Sequence, residues 1–124
     1  MRERLYIGIA GGIGAMARLL VGEMLLMNSA FPIATLTVNM VGTLSLCFLV
    51  EWARLGGHLP PLAVTVMTVG FLGAFTTFSA VSLETIQLIE NGLYPMAIVY
   101  VGSSLFGGFT MAALGFSLAK KVTA

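Results

Sequence analysis

The sequence predicts an all-α membrane protein of four transmembrane helices, the third of them broken. Three observations carry that prediction. Hydrophobic residues make up 58% of the chain and charged residues 9%, against about 25% charged in an ordinary soluble domain. Four long apolar segments are separated by short links rich in Gly, Pro or Asn. The third segment also carries a run of Gly, Thr and Ser that a lipid-facing helix does not need. A spanning helix takes about 20 mostly apolar residues, so the 124 residues are expected to form one membrane domain with its working groups inside the bilayer.

The first segment covers residues 5–27 and stops at the polar turn Asn28-Ser29-Ala30-Phe31-Pro32. Arg2-Glu3-Arg4 ahead of it has the look of a secretory leader. The apolar run is too long for that, contains Arg18 and leads straight into another hydrophobic segment, so it is read as a mature helix. The second segment, residues 33–52, ends on Trp52, an interfacial aromatic. Gly56, Gly57, Pro60 and Pro61 prevent its continuation. Segment three covers residues 62–90, and segment four, after Asn91-Gly92-Leu93-Tyr94-Pro95, covers residues 95–119.

In segment three, Gly70 and Gly73 lead into Phe75-Thr76-Thr77-Phe78-Ser79, followed by Ser82 and Glu84. Unwound backbone is tolerated at membrane depth only where protein or a polar cavity satisfies it, and this string predicts a helix break between Gly73 and Thr77. The competing reading is a continuous helix with small residues at a packing face. Small residues recur at helical spacing in Gly8 and Gly12, in Gly14 and Gly22 around Arg18, and in Ser104 and Gly108. That pattern favours close helix contact and an oligomer.

Arg18 is the one basic residue well inside a segment. An Arg at the bilayer centre costs about 2.5–3.5 kcal/mol on insertion scales, so it is expected to face a polar vestibule rather than lipid, with snorkelling to the interface as the alternative. Asn39 lies mid-segment one turn after Thr35, and reads either as a hydrogen-bond donor to a ligand or as interhelical glue. Tyr100, Ser104 and Gly108 form a stripe that lines a pore or marks a helix contact. Amide, hydroxyl, guanidinium and aromatic ring edge together suit a small dehydrated anion. Glu84 has no second carboxylate nearby in sequence to form a proton or cation ladder, and Glu23 and Glu51 lie near segment ends, where they are expected to be interfacial.

Other chemistry is set aside. A net charge of +1 with scattered basic residues excludes a nucleic-acid patch. Cys47 is the single cysteine and sits in an apolar run, so it reads as a small hydrophobe, and His58 reads as a solvated loop residue.

Residues 11–15 (Gly-Gly-Ile-Gly-Ala) with Arg18, Pro32 through Thr35-Leu36-Thr37-Val38-Asn39 and Gly42, and Gly70-Phe71-Leu72-Gly73-Ala74-Phe75-Thr76-Thr77-Phe78-Ser79 with Ser82 and Glu84 occur here in one order and spacing. In that order the chain resembles the CrcB or Fluc-type fluoride channels over essentially its whole length. The resemblance implies an antiparallel (inverted) dimer with two pores, passive fluoride permeation that lowers cytoplasmic fluoride, and a structural sodium ion at the dimer interface. It implies sodium ligation by the backbone carbonyls of Gly73 and Thr76. It places Asn39 and Phe78 in the pore, with Thr77 and Ser79 beside them, and Tyr100 and Ser104 on a polar track. Two positions depart from the family pattern: Val81 stands where a second Phe is usual, and Gly108 where a Ser or Thr is usual.

The reading is thus a fluoride-selective channel subunit in the cell membrane, not an enzyme. A small multidrug-type cation/proton antiporter is the alternative of similar size; it calls for a carboxylate within helix one, where this chain has Arg18 and, near the end, Glu23. A purely structural subunit would leave the Thr-Thr-Phe-Ser string without a purpose. With four spans, Arg2, Arg4, Arg54, Lys120 and Lys121 share one side, and the two turns on the other side contain no Lys or Arg. The positive-inside rule puts both termini in the cytoplasm. So strong a bias suits a fixed orientation, and hence an antiparallel dimer with a paralogous subunit of opposite bias in preference to a homodimer.

Overall fold

A computed structural model describes residues 1–25 and 30–124. The expected end of segment one at Met27 and the turn residues Asn28 and Ser29 lie outside the described residues. Every regular element among the described residues is helical, and four helices are long and apolar enough to cross a membrane. Helix α1 is Arg2–Met24, α2 is Ile33–Arg54 and α6 is Tyr94–Thr123. The third span, Pro61–Glu90, is composite. It starts as α3 (Pro61–Thr65), widens into a π-helix (Val66–Leu72), returns to α4 (Gly73–Phe75), breaks, and resumes as α5 (Ser79–Glu90). The chain is a multi-pass membrane protein.

The element ends follow from local chemistry. Gly56 and Gly92 take positive φ, +100° and +75°, just beyond the ends of α2 and α5, a conformation that glycine adopts without a Cβ penalty. Pro61 opens α3 at its first turn, where a missing N–H costs nothing. Helix α1 starts in the charged leader, with Glu3 in its first turn. Helix α6 runs on through Lys120 and Lys121, which complement the helix dipole in the last turn.

The third helix is broken inside the expected interval, which ends at Thr77 and begins at Gly73. That residue keeps helical φ −63° and ψ −32°, and the chain becomes extended at Thr76 with φ −78° and ψ 156°. The Thr76 N–H still reaches the Leu72 carbonyl at 3.0 Å, so the turn containing Gly73 remains intact.

Helix α2 lies against α6 through Gly115, where an added Cβ would come within 2.5 Å of the Leu44 carbonyl. Helix α5 meets α6 around buried Leu88, Ala97 and Tyr100, with Val81 packed on that cluster and Phe31 edge-on to the Tyr100 ring at 5.6 Å. Helix α1 crosses the π-helix and α4 backbone to backbone. Much of the outer surface is apolar, including Ile9, Leu20, Ile98, Phe106 and Phe109, as befits a protein whose solvent is lipid.

Glu51 lies in the last turn of α2, near the segment end as expected, and is buried within the chain. It is 5% exposed because Arg54, three residues on, covers it with two hydrogen bonds of 2.9 Å from Nε and one terminal nitrogen. His58 is exposed and Cys47 is buried.

Candidate functional site

The break is held open by side chains that take over its backbone groups. In a continuous helix, the Thr77 N–H would donate to the Gly73 carbonyl and the Ala80 N–H to the Thr76 carbonyl. Here the Thr77 N–H donates to Asn39 Oδ1 at 2.8 Å, and the Ala80 N–H donates to Thr77 Oγ1 at 3.2 Å. The carbonyls of Gly73 and Thr76 are thereby released from the helical ladder. The Thr77 carbonyl accepts from Asn39 Nδ2 at 2.8 Å. Asn39 is thus a two-point clamp between α2 and the break. One amide N–H of Asn39 is left over after the clamp. Thr77, one residue ahead of the α5 N-cap Phe78, thus satisfies a first-turn amide of α5 with its hydroxyl.

Around the clamp lies a cavity of about 420 Å³. Asn39 and Thr43 of α2, Gly73 and residues 76–78 of the break, Val81 of α5, and Ser104 and Gly108 of α6 line it. Phe78 is 81% exposed at its edge. A Cβ added at Gly108 would meet nothing within 4 Å, so the departure at that position leaves open space. Ser104 spends its hydroxyl proton on the Tyr100 carbonyl at 2.8 Å, which leaves its oxygen lone pairs for a donor.

A second cavity of about 340 Å³ is lined by Arg18, Gly22, Glu23, Thr35, Thr77 and Glu84, among others. Thr77 belongs to both cavities and forms the wall between them. Arg18 is half-buried there, with no hydrogen-bond or ion-pair partner among the described residues. Gly14, one turn before it, admits the Phe71 backbone so closely that no Cβ fits, while Gly22, one turn after, is open. A third cavity of about 150 Å³ shares Glu84 with the second and reaches Pro32, Gln87 and Asn91.

Tyr100 and Ser79 sit outside the first cavity. Tyr100 is 0% exposed, and its hydroxyl donates to Glu84 Oε2 at 2.5 Å, while Thr35 Oγ1 donates to Glu84 Oε1 at 2.6 Å. Each oxygen of this carboxylate is therefore held by one hydroxyl, from α2 and from α6. Ser79 is exposed, with its hydroxyl 3.1 Å from that of Thr77. Sequence reasoning placed Thr35 one turn from Asn39 and noted Glu84 on the polar stretch, but gave neither a place at the site. The available signal was a lone carboxylate in an apolar segment, which has to find donors. No three His, Cys, Asp or Glu residues converge as a metal site among the described residues.

The fold and the site define a small multi-pass helical membrane protein with internal hydrogen-bonding groups gathered around an interrupted span. The chain belongs to the CrcB-like family: the family described as CrcB-like protein, Camphor Resistance (CrcB), matches residues 5–116. Among its relatives, a protein of Desulfitobacterium hafniense named fluoride-specific ion channel FluC 1 is 45% identical over 88% of this chain and 96% of its own length. A Bacillus cereus protein of the same name is 41% identical over 95% of this chain and 89% of its own. A Listeria monocytogenes protein named fluoride-specific ion channel FluC 2 is 38% identical over 95% and 91%. The family is one of ion channels, not enzymes.

Proposed function

We propose that the chain is a subunit of a fluoride-selective passive channel that lowers cytoplasmic fluoride. The observation that carries this reading is the Asn39 clamp on Thr77 at the junction of two cavities, in a chain 45% identical to a protein named a fluoride-specific channel. Fluoride is small and strongly hydrated, so its passage needs fixed donors that replace water. The spare Asn39 N–H, the Thr43 hydroxyl and the ring edge of Phe78 supply such groups, with Arg18 attracting anions into the vestibule. The Tyr100 hydroxyl joins this set only when Glu84 releases it.

The sodium site at Gly73 and Thr76 is supported by the diverted amides of Thr77 and Ala80, since freed carbonyls of an unwound segment suit a hard cation. Two carbonyls from each of two inverted subunits would make a four-oxygen site. The ion would fix the dimer and is not transported.

The partner is a paralogous subunit inserted the other way up. The ends of α2 and α6 carry Arg54, Lys120 and Lys121 on the same side as Arg2 and Arg4 of α1, which supports cytoplasmic termini for this chain. Labelling of a cysteine added at the C-terminus, in cells making only this chain, tests the orientation. Protection from an impermeant outside reagent supports a fixed orientation, and equal labelling from both sides defeats it. Growth of a fluoride-sensitive bacterium on fluoride, with this chain expressed alone and with a candidate paralogue, tests the function. Rescue is expected for the pair, and no rescue in either case counts against the channel.

A further inference from the structure

The part of the third span ahead of the break is a π-helix of seven residues, Val66–Leu72. Such helices are rare, occur mostly as single-turn bulges and are frequent at functional sites. Apart from Gly70, nothing in Val-Met-Thr-Val-Gly-Phe-Leu distinguishes it from an ordinary apolar helix, so its cause is sought in what that glycine packs against. That partner is α1. A Cβ on Gly70 would come within 2.8 Å of the Ile7 carbonyl and 2.9 Å of the Ala10 Cβ, and one on Gly14 would run into the Phe71 carbonyl. A Cβ added at Gly11, between these points, would lie 3.6 Å from the Gly70 carbonyl. Two glycines on the two helices of one crossing thus seat the widened helix directly on the α1 backbone.

The consequence is rotational. Each residue of an α-helix turns the chain by about 100°, so one residue more or less before Gly73 turns everything after it by that amount. In the observed phase, Gly73, Thr76 and Thr77 face the cavity with Asn39, Phe75 is buried and stacked on Phe71 at 5.9 Å, and the Thr76 methyl and Phe75 ring lie over Gly42 of α2. Turned by one residue, the Thr77 backbone no longer meets Asn39.

We propose that the π-helix Val66–Leu72, locked on α1 through Gly14 and Gly70, is a positioning element: it supplies the extra residue that brings Thr76 and Thr77 into phase with Asn39. This rests on the channel reading for its consequence in transport, but its geometry is independent of which ion passes. The residues concerned touch no permeating ion and act through Thr77.

The test is a length-compensation pair. Val69, which is exposed, is deleted in one variant; in the second, the same deletion is compensated by one Ala inserted between Thr65 and Val66. Both are made in the full-length protein with its partner, in a Cys47→Ala background carrying Thr76→Cys. The readouts are fluoride efflux in the Thr76 parent and the modification rate of Cys at 76 by a small water-soluble thiol reagent. The deletion is expected to lower both by tenfold or more, and the compensated variant to recover at least half of each. Unchanged thiol reactivity in the deletion, or a compensated variant no better than the deletion, overturns the proposal. If the deletion does not assemble, recovery in the compensated variant alone decides in the same way. Absence of fluoride efflux from the unmodified protein would remove the channel reading, while the thiol rates would still decide the positioning role.

Discussion

Asn39 and Thr77 are joined through both ends of one carboxamide: Nδ2 donates to the Thr77 carbonyl and Oδ1 accepts the Thr77 N–H, each at 2.8 Å. Asn39→Asp keeps the acceptor and replaces the donor with a charged oxygen that faces a carbonyl. The loss of a bond and the unpaired acceptor are worth about 1–3 kcal/mol, and the new charge repels an anion. Fluoride efflux is expected to fall by about tenfold or more with the parent's elution volume on size-exclusion chromatography retained. Wild-type efflux from Asn39→Asp would mean that the amide only ties helices together.

The Glu84 carboxylate is shared between Thr35 and Tyr100, one oxygen each. Removing one hydroxyl leaves a carboxylate oxygen without its donor, so Tyr100→Phe is expected to cost about 1–3 kcal/mol of stability. Glu84→Gln relieves the charge, and Tyr100→Phe in that background is expected to cost less. Thermal unfolding in detergent of the two single variants and the double variant measures the coupling; strictly additive shifts would show that the contact contributes nothing of its own.

Glycines on α1 are predicted to differ by face. Gly14→Ala drives a methyl into the Phe71 backbone, and overpacking of that kind costs about 1–3 kcal/mol. Gly8 and Gly12 have nothing within 4 Å of an added Cβ, and alanine there gains roughly 0.5–1 kcal/mol of helix propensity. Apparent melting temperatures should therefore fall for the first and hold or rise for the other two. Equal effects at all three would contradict the crossing at Gly14.

Gly108 lines the first cavity beside Ser104, with room for a side chain. Gly108→Ser adds a hydroxyl one turn beyond Ser104 without a clash. The variant is expected to fold as the parent does and to raise fluoride efflux through the cavity by about twofold or more, a small change on the free-energy scale. Reduced efflux with normal folding would show that the open space itself is used.

Local pattern was sufficient for the four spans and for the existence of the break, because hydrophobic length and a Gly-Thr-Ser string are written in consecutive residues. It bounded the break between Gly73 and Thr77, and the chain turns extended inside those bounds, at Thr76. Gly73 permits unwinding, but the backbone lets go only where Asn39 and the Thr77 hydroxyl offer substitutes. Asn39 had two readings from sequence, and the distance to Thr77 shows a clamp with one N–H to spare. The pairing of Glu84 with Thr35 joins residues 49 apart, and no local pattern encodes it. The π-helix was equally invisible, since Val66–Leu72 has ordinary apolar composition and its form depends on the glycine crossing with α1.

Fluoride efflux from liposomes, followed with a fluoride electrode against chloride efflux under the same potassium-driven potential, tests the central claim most directly. For this chain reconstituted with the proposed paralogous partner, passive fluoride efflux is predicted, with chloride at the level of protein-free liposomes. Fluoride release no faster than from protein-free liposomes, for the chain alone and for the pair, would contradict it.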